Sequence, residues 1–139
     1  MNISNVSLNK KVEDKTKEKN NNMIKIIKGS IIAMIITIIA LTIYAAILAY
    51  TSVSETTMVP VVLTITGISI LIGSSMSSIS IKKQGIMNGG FVGLIYIIFL
   101  YVLSSIISVG FELNMNAIIM LIVAILTGMI GGIIGVNMK

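Results

Sequence analysis

Hydrophobic and polar positions divide the chain into a polar head and four apolar runs. The first 22 residues, MNISNVSLNKKVEDKTKEKNNN, are rich in Lys and Asn and nearly free of large apolar side chains. Such a stretch buries too little surface to offset the entropy of ordering. It predicts a disordered tail over residues 1–22, ahead of a transmembrane domain over 23–139. The apolar runs cover approximately Ile31–Tyr50, Met58–Ile81, Ile86–Val109 and Ala117–Met138, and none contains Asp, Glu, Lys or Arg. Each supplies the roughly 20 apolar residues a helix needs to cross about 30 Å of hydrocarbon. A charge at the centre of such a span costs roughly 2.5–3.5 kcal/mol, so its absence is what lipid demands. The first run is also longer than the apolar stretch of about 7–15 residues in a signal peptide, and no A-x-A site follows it.

The connections are TSVSETT from Thr51, KKQG from Lys82 and GFELNMN from Gly110. Segments this short join neighbouring antiparallel helices. The expected fold is therefore all-α, a four-helix transmembrane bundle of two antiparallel hairpins. Pro60 lies in the first turn of the second span, where its missing N–H costs nothing.

Charge adds an orientation. All ten basic residues are Lys. Seven lie before the first span, Lys82 and Lys83 form the second turn, and Lys139 ends the chain. The first and third turns carry Glu55 and Glu112 and no Lys. The positive-inside rule puts the lysine side, and with it both termini, in the cytoplasm. The formal charge of +5 is thus a matter of topology. Without Arg or an aromatic platform, nucleic acid is not an expected partner.

Small residues mark where helices meet. Lipid tails are as apolar as Leu, so association in a membrane depends on close backbone approach. Gly85, Gly89 and Gly93 form a glycine zipper along the third span, reinforced by Gly90. The fourth span offers a seam of Ala117, Leu121, Ala124, Gly128, Gly131 and Gly135, with Gly128 and Gly132 on an adjacent face. The second span is small on two sides, through Thr64, Gly67, Leu71, Ser74 and Ser78 and through Thr66, Ser69, Gly73, Ser77 and Ser80. The first carries Ser30, Ala33, Thr37, Ala40 and Tyr44 in one row. Most glycines fall toward the lysine side, which predicts close approach there and a wider, Ile-, Leu- and Tyr-filled opposite half. The two halves also match faintly: Gly29 and Ala33 correspond to Gly89 and Gly93 at an offset of 60.

Candidate chemistry is sparse. The chain has no Cys and no His, which removes the commonest general base, metal ligands and thiol chemistry. No carboxylate or Lys lies inside a span, and ion-coupled transport usually leaves one there. No catalytic residue, metal or cofactor is expected, and the chain is not expected to be an enzyme. Asn88 and Asn137 are the suggestive polar groups, as amides able to bond across the bundle or to cap backbone. Tyr44, Tyr96 and Tyr101 lie within spans and call for hydroxyl partners.

The run GIMNGGFVGLIY from Gly85, followed by TGMIGGIIGV from Thr127, resembles the YrzE-like family of small four-span membrane proteins of Firmicutes. The likeness covers roughly Ile24–Met138. It implies a bacterial plasma-membrane protein of uncharacterised function with both termini inside, and brings no binding residues to carry over. Members encoded near Sec export components give a hint of a partner. The expected role is a small structural or accessory subunit acting through helix packing, by self-association or within a larger membrane complex. The alternative is a small oligomeric transporter or channel.

Overall fold

The computed structural model describes residues 3–51, 54, 57–107 and 115–138. Four helices account for nearly all of them: α1 (Ile3–Tyr50), α2 (Met58–Ile81), α3 (Gly85–Ile107) and α4 (Met115–Asn137). All four contain a stretch long and apolar enough to cross a membrane, the make-up of a multi-pass membrane protein. Glu55, Ser108, Gly110, Phe111 and Glu112 lie outside the described residues.

The helix boundaries have local causes. Pro60 is the third residue of α2, where its fixed φ suits the first turn. At the other end Lys82 adopts φ 61°, a left-handed cap whose N–H donates to the Ser78 carbonyl. Gln84, at φ 51°, turns the chain a second time, and α3 starts at Gly85. Lys82 and Gln84 pay a steric cost there that Gly would not.

The expected disordered tail is corrected. α1 runs unbroken for 48 residues, from Ile3 through the polar head into the first span. At about 1.5 Å per residue it is roughly 72 Å long, more than twice a bilayer core. Composition limits what the segment can bury, but not whether a helix already nucleated beside it continues. A membrane span already supplies the costly first turns, so each further residue adds one hydrogen bond. No Gly or Pro interrupts the stretch before Gly29. Pairs such as Lys10–Asp14 and Glu13–Lys17 stand four apart, where opposite charges support a solvated helix. Glu18 also meets Lys83 of the second turn at 3.5 Å. Both side chains are well exposed, so this ion pair contributes at most about 1 kcal/mol.

Around the bundle the order is α1, α2, α4, α3. α2 and α3 touch every other helix, whereas α1 and α4 do not meet among the described residues. The two small faces of α2 explain its central place: Gly73 and Ser77 meet α1, while Leu71, Ser74 and Ser75 meet α4.

Buried residues cluster at one end. Every described residue that is buried lies within 26–37, 69–81, 88–96 or 124–135, all on the lysine side. The opposite half, including residues 38–50 and 115–123, has none. Its Ile, Leu and Val side chains face outward, as lipid-exposed side chains do.

Candidate functional site

The lysine-side half is built from three small-residue contacts. Between α3 and α4, Gly85 lies against Gly132, Gly89 against Gly128, and Gly93 against Ala124. One number rises as the other falls, so these helices run antiparallel. A methyl group on Gly89 would stand 2.8 Å from the Gly132 Cα, and one on Gly85 would stand 2.6 Å from Val136 Cγ2. Both distances are below any real contact, so only glycine allows this approach. Between α1 and α2, Gly29 and Gly73 face each other, and a methyl group on Gly29 would stand 2.7 Å from the Gly73 carbonyl oxygen. Between α2 and α4 the contact is parallel. Gly131 rests on Leu71 and Ser74, and Gly135 rests on Ser75.

The seam along α4 therefore divides between two neighbours. Ala124, Gly128 and Gly132 face α3, while Gly131 and Gly135 face α2. Gly90 is looser: the atoms nearest to where its Cβ would be belong to the flexible Met129 side chain and to Ile125, at 3.4–3.9 Å. Gly67 has nothing within 4 Å of where its Cβ would be.

Hydroxyl groups fill the centre. Ser30, Thr37, Ser69, Ser74, Ser77 and Ser78 are all buried. Most donate back to a carbonyl of their own helix, as Ser30 does to Ile26, Thr37 to Ala33 and Ser69 to Ile65. That return bond lets a hydroxyl sit in an apolar interior without an orphan donor. The Oγ atoms of Ser77 and Ser78 are buried without a partner. Tyr96, fully buried on α3, places its hydroxyl 2.7 Å from Thr37 Oγ1 on α1 and beside Thr66 on α2. Three helices thus meet at one phenol, the kind of hydroxyl partner its position called for. Tyr44 has a buried hydroxyl with no such partner.

Asn88 and Asn137 are not brought together. Asn88 is nearly buried, and its Nδ2 donates to the Lys83 carbonyl at 2.7 Å, tying the start of α3 to the turn before it. Asn137 is exposed at the last residue of α4. Among the described residues no group of three or more His, Cys, Asp or Glu could hold a metal ion.

Sequence comparison matches the family model for a protein of unknown function, DUF3792, over residues 22–135. The chain belongs to the DUF3792 family. The match leaves out most of the charged half of α1 and takes in every residue of the small-residue contacts, so these contacts lie within the DUF3792 domain. No curated protein and no solved structure matches the chain.

What reasoning along the chain missed is the cleft between the lower part of α1 and the start of α3. Its two walls are about 65 positions apart, beyond the reach of any local periodicity.

Proposed function

We propose that the chain is a bacterial plasma-membrane protein of two antiparallel hairpins with both termini in the cytoplasm, acting as a small accessory subunit of a larger membrane assembly. Its relation to the YrzE-like proteins belongs to the same proposal. The observation that carries the reading is the form of α1. A charged helix of about 20 residues continues the first span without a break and stands exposed on nearly every side. A bundle that only needed to fold would have no use for it. Rooted in the bundle, this rod presents a rigid surface to a partner at a set distance from the bilayer. The Gly and Ser contacts support the reading in another way. They are taken up within the single chain, leaving an aliphatic exterior suited to lipid or to larger membrane neighbours.

Photo-crosslinking amino acids at Asn9 and Thr16 on the rod, and at Ile38 and Ile122 on the outer faces, test this in native membranes. A reproducible protein neighbour at the rod is expected. Capture of lipid alone at all four positions would overturn the proposal. Orientation has its own test, because the chain has no Cys. A cysteine replacing Ser54 should react with an impermeant maleimide from outside, and one replacing Gln84 should not.

A transporter or channel is the second reading, favoured by the unpartnered hydroxyls of Ser77 and Ser78 in the core. Proteoliposome flux no greater than that of empty vesicles, across small ions and neutral solutes, excludes it.

A further inference from the structure

A cleft of about 630 Å³ opens between α1 and α3 at the lysine end. Its lining changes character along the helix axis. Lys15, Lys19 and Lys83 edge the outer part, with Glu18 as the single carboxylate. Ile27, Met87, Phe91 and Ile95 line the part nearer the bundle. Phe91, Met87 and Ile27 are each about half exposed, so the apolar part is open sideways.

Depth fixes what can occupy it. Ser30 of α1 lies level with Val92 of α3, where its hydroxyl approaches the Val92 carbonyl at 3.5 Å. On the cleft side the apolar lining, with Asn88 its one polar member, therefore begins near Met23 and Gly85, while Lys25 and Lys28 lie further along α1 outside the cleft. Lys19 lies four residues before Met23, about 6 Å along the axis, within the headgroup layer. Lys83 is in the turn beside it, and Lys15 is one turn further out, with a stem long enough to reach back. A basic rim at headgroup depth above an apolar groove open to the bilayer matches one chemistry, a phosphate-bearing head joined to an acyl chain.

We propose that this cleft binds one anionic phospholipid, its head held by Lys15, Lys19 and Lys83 and one acyl chain laid along Ile27, Phe91 and Ile95. The Glu18–Lys83 pair closes the rim in the absence of lipid. At 3.5 Å and well exposed, it yields readily when a phosphate replaces the carboxylate. The inference rests on the chain spanning a membrane and not on the accessory role.

The test is native mass spectrometry of the delipidated full chain in detergent, titrated with phosphatidylglycerol or phosphatidylcholine. One phosphatidylglycerol should be retained at concentrations where phosphatidylcholine is not. The K15Q/K19Q/K83Q variant should lose at least about tenfold in phosphatidylglycerol affinity. The K10Q/K11Q/K17Q variant, which loses the same charge outside the cleft, should match the wild type. Glu18→Gln should tighten phosphatidylglycerol binding, a gain that misfolding cannot produce. Equal retention of both lipids, equal loss in the two triple variants, or a Glu18→Gln variant that binds no more tightly would each overturn the proposal. So would competition by inorganic phosphate as effective as by the lipid, which would reduce the site to an anion contact.

Discussion

Adding one methyl group at Gly89 and at Gly67 should have opposite consequences. Both residues sit inside helices, and replacing Gly by Ala there gains about 0.5–1 kcal/mol from reduced backbone freedom in the unfolded chain. At Gly67 that gain is the whole effect, because nothing lies within 4 Å of the new Cβ. At Gly89 the methyl meets the backbone of both Gly128 and Gly132, the latter at 2.8 Å. Backbone cannot rotate aside as a side chain does, so α3 and α4 must separate. Overpacking of this kind costs about 1–3 kcal/mol, and the upper end applies because the separation also loosens Gly85 and Gly93. Gly89→Ala should therefore destabilise by about 2 kcal/mol net, and Gly67→Ala should stabilise by about 0.5–1 kcal/mol. Gly90→Ala, facing the movable Met129 at 3.4 Å, should fall between them. Reversible unfolding in mixed micelles of increasing SDS fraction measures all three. A Gly89→Ala protein as stable as Gly67→Ala would refute the argument that backbone contact sets these positions.

Three further outcomes follow from particular contacts. A double-mutant cycle of Thr37→Val and Tyr96→Phe should show a coupling of about 0.6–1.7 kcal/mol, the range for hydrogen bonds between membrane helices; zero coupling would mean that the 2.7 Å contact contributes nothing. Asn88→Ala removes the donor to the Lys83 carbonyl and should cost about 1 kcal/mol, with faster amide exchange over residues 82–86 as the local readout. Asn21→Pro should uncouple the rod from the bundle, lowering helical circular dichroism while leaving the SDS midpoint within about 0.5 kcal/mol of wild type; a large fall in the midpoint would show that the rod is part of the fold.

Some of this is legible along the chain, and the rest is not, for physical reasons. The second span was legible to the residue, Met58–Ile81, because Pro60 and the Lys82–Lys83 pair bracket it with strong signals. The small-residue positions were legible because close approach in lipid needs side chains without bulk, and the spacing of four shows on one face. Which face meets which neighbour was not. Gly128, Gly131, Gly132 and Gly135 fit one seam or two equally well, and only the third dimension assigns Gly132 to α3 and Gly135 to α2. The helix through residues 3–22 was missed because composition reports what a segment can bury and says little about what it is attached to.

The distribution of packing bears on how the two functional readings stand. A solute path along the axis of a single chain would have to pass the lysine-side half, where Gly29 meets Gly73 and Gly85 meets Gly132 too closely to admit a methyl group. The hydroxyls that could line such a path are mostly committed to carbonyls of their own helices, and the Tyr96 ring fills the level between Thr37 and Thr66. A conduit between copies would need α2 on the outside, yet its small faces are turned toward α1 and α4. Transport would thus require these contacts to part, exposing Ser77, Ser78 and the glycine carbonyls together, with no Asp, Glu, Lys or Arg in any of the four apolar runs to couple that opening to an ion. A clamped lysine end that fixes the direction of a long, charged helix needs no such opening. The same contacts that make the bundle a poor conduit make it a firm base for α1, and this favours the accessory reading.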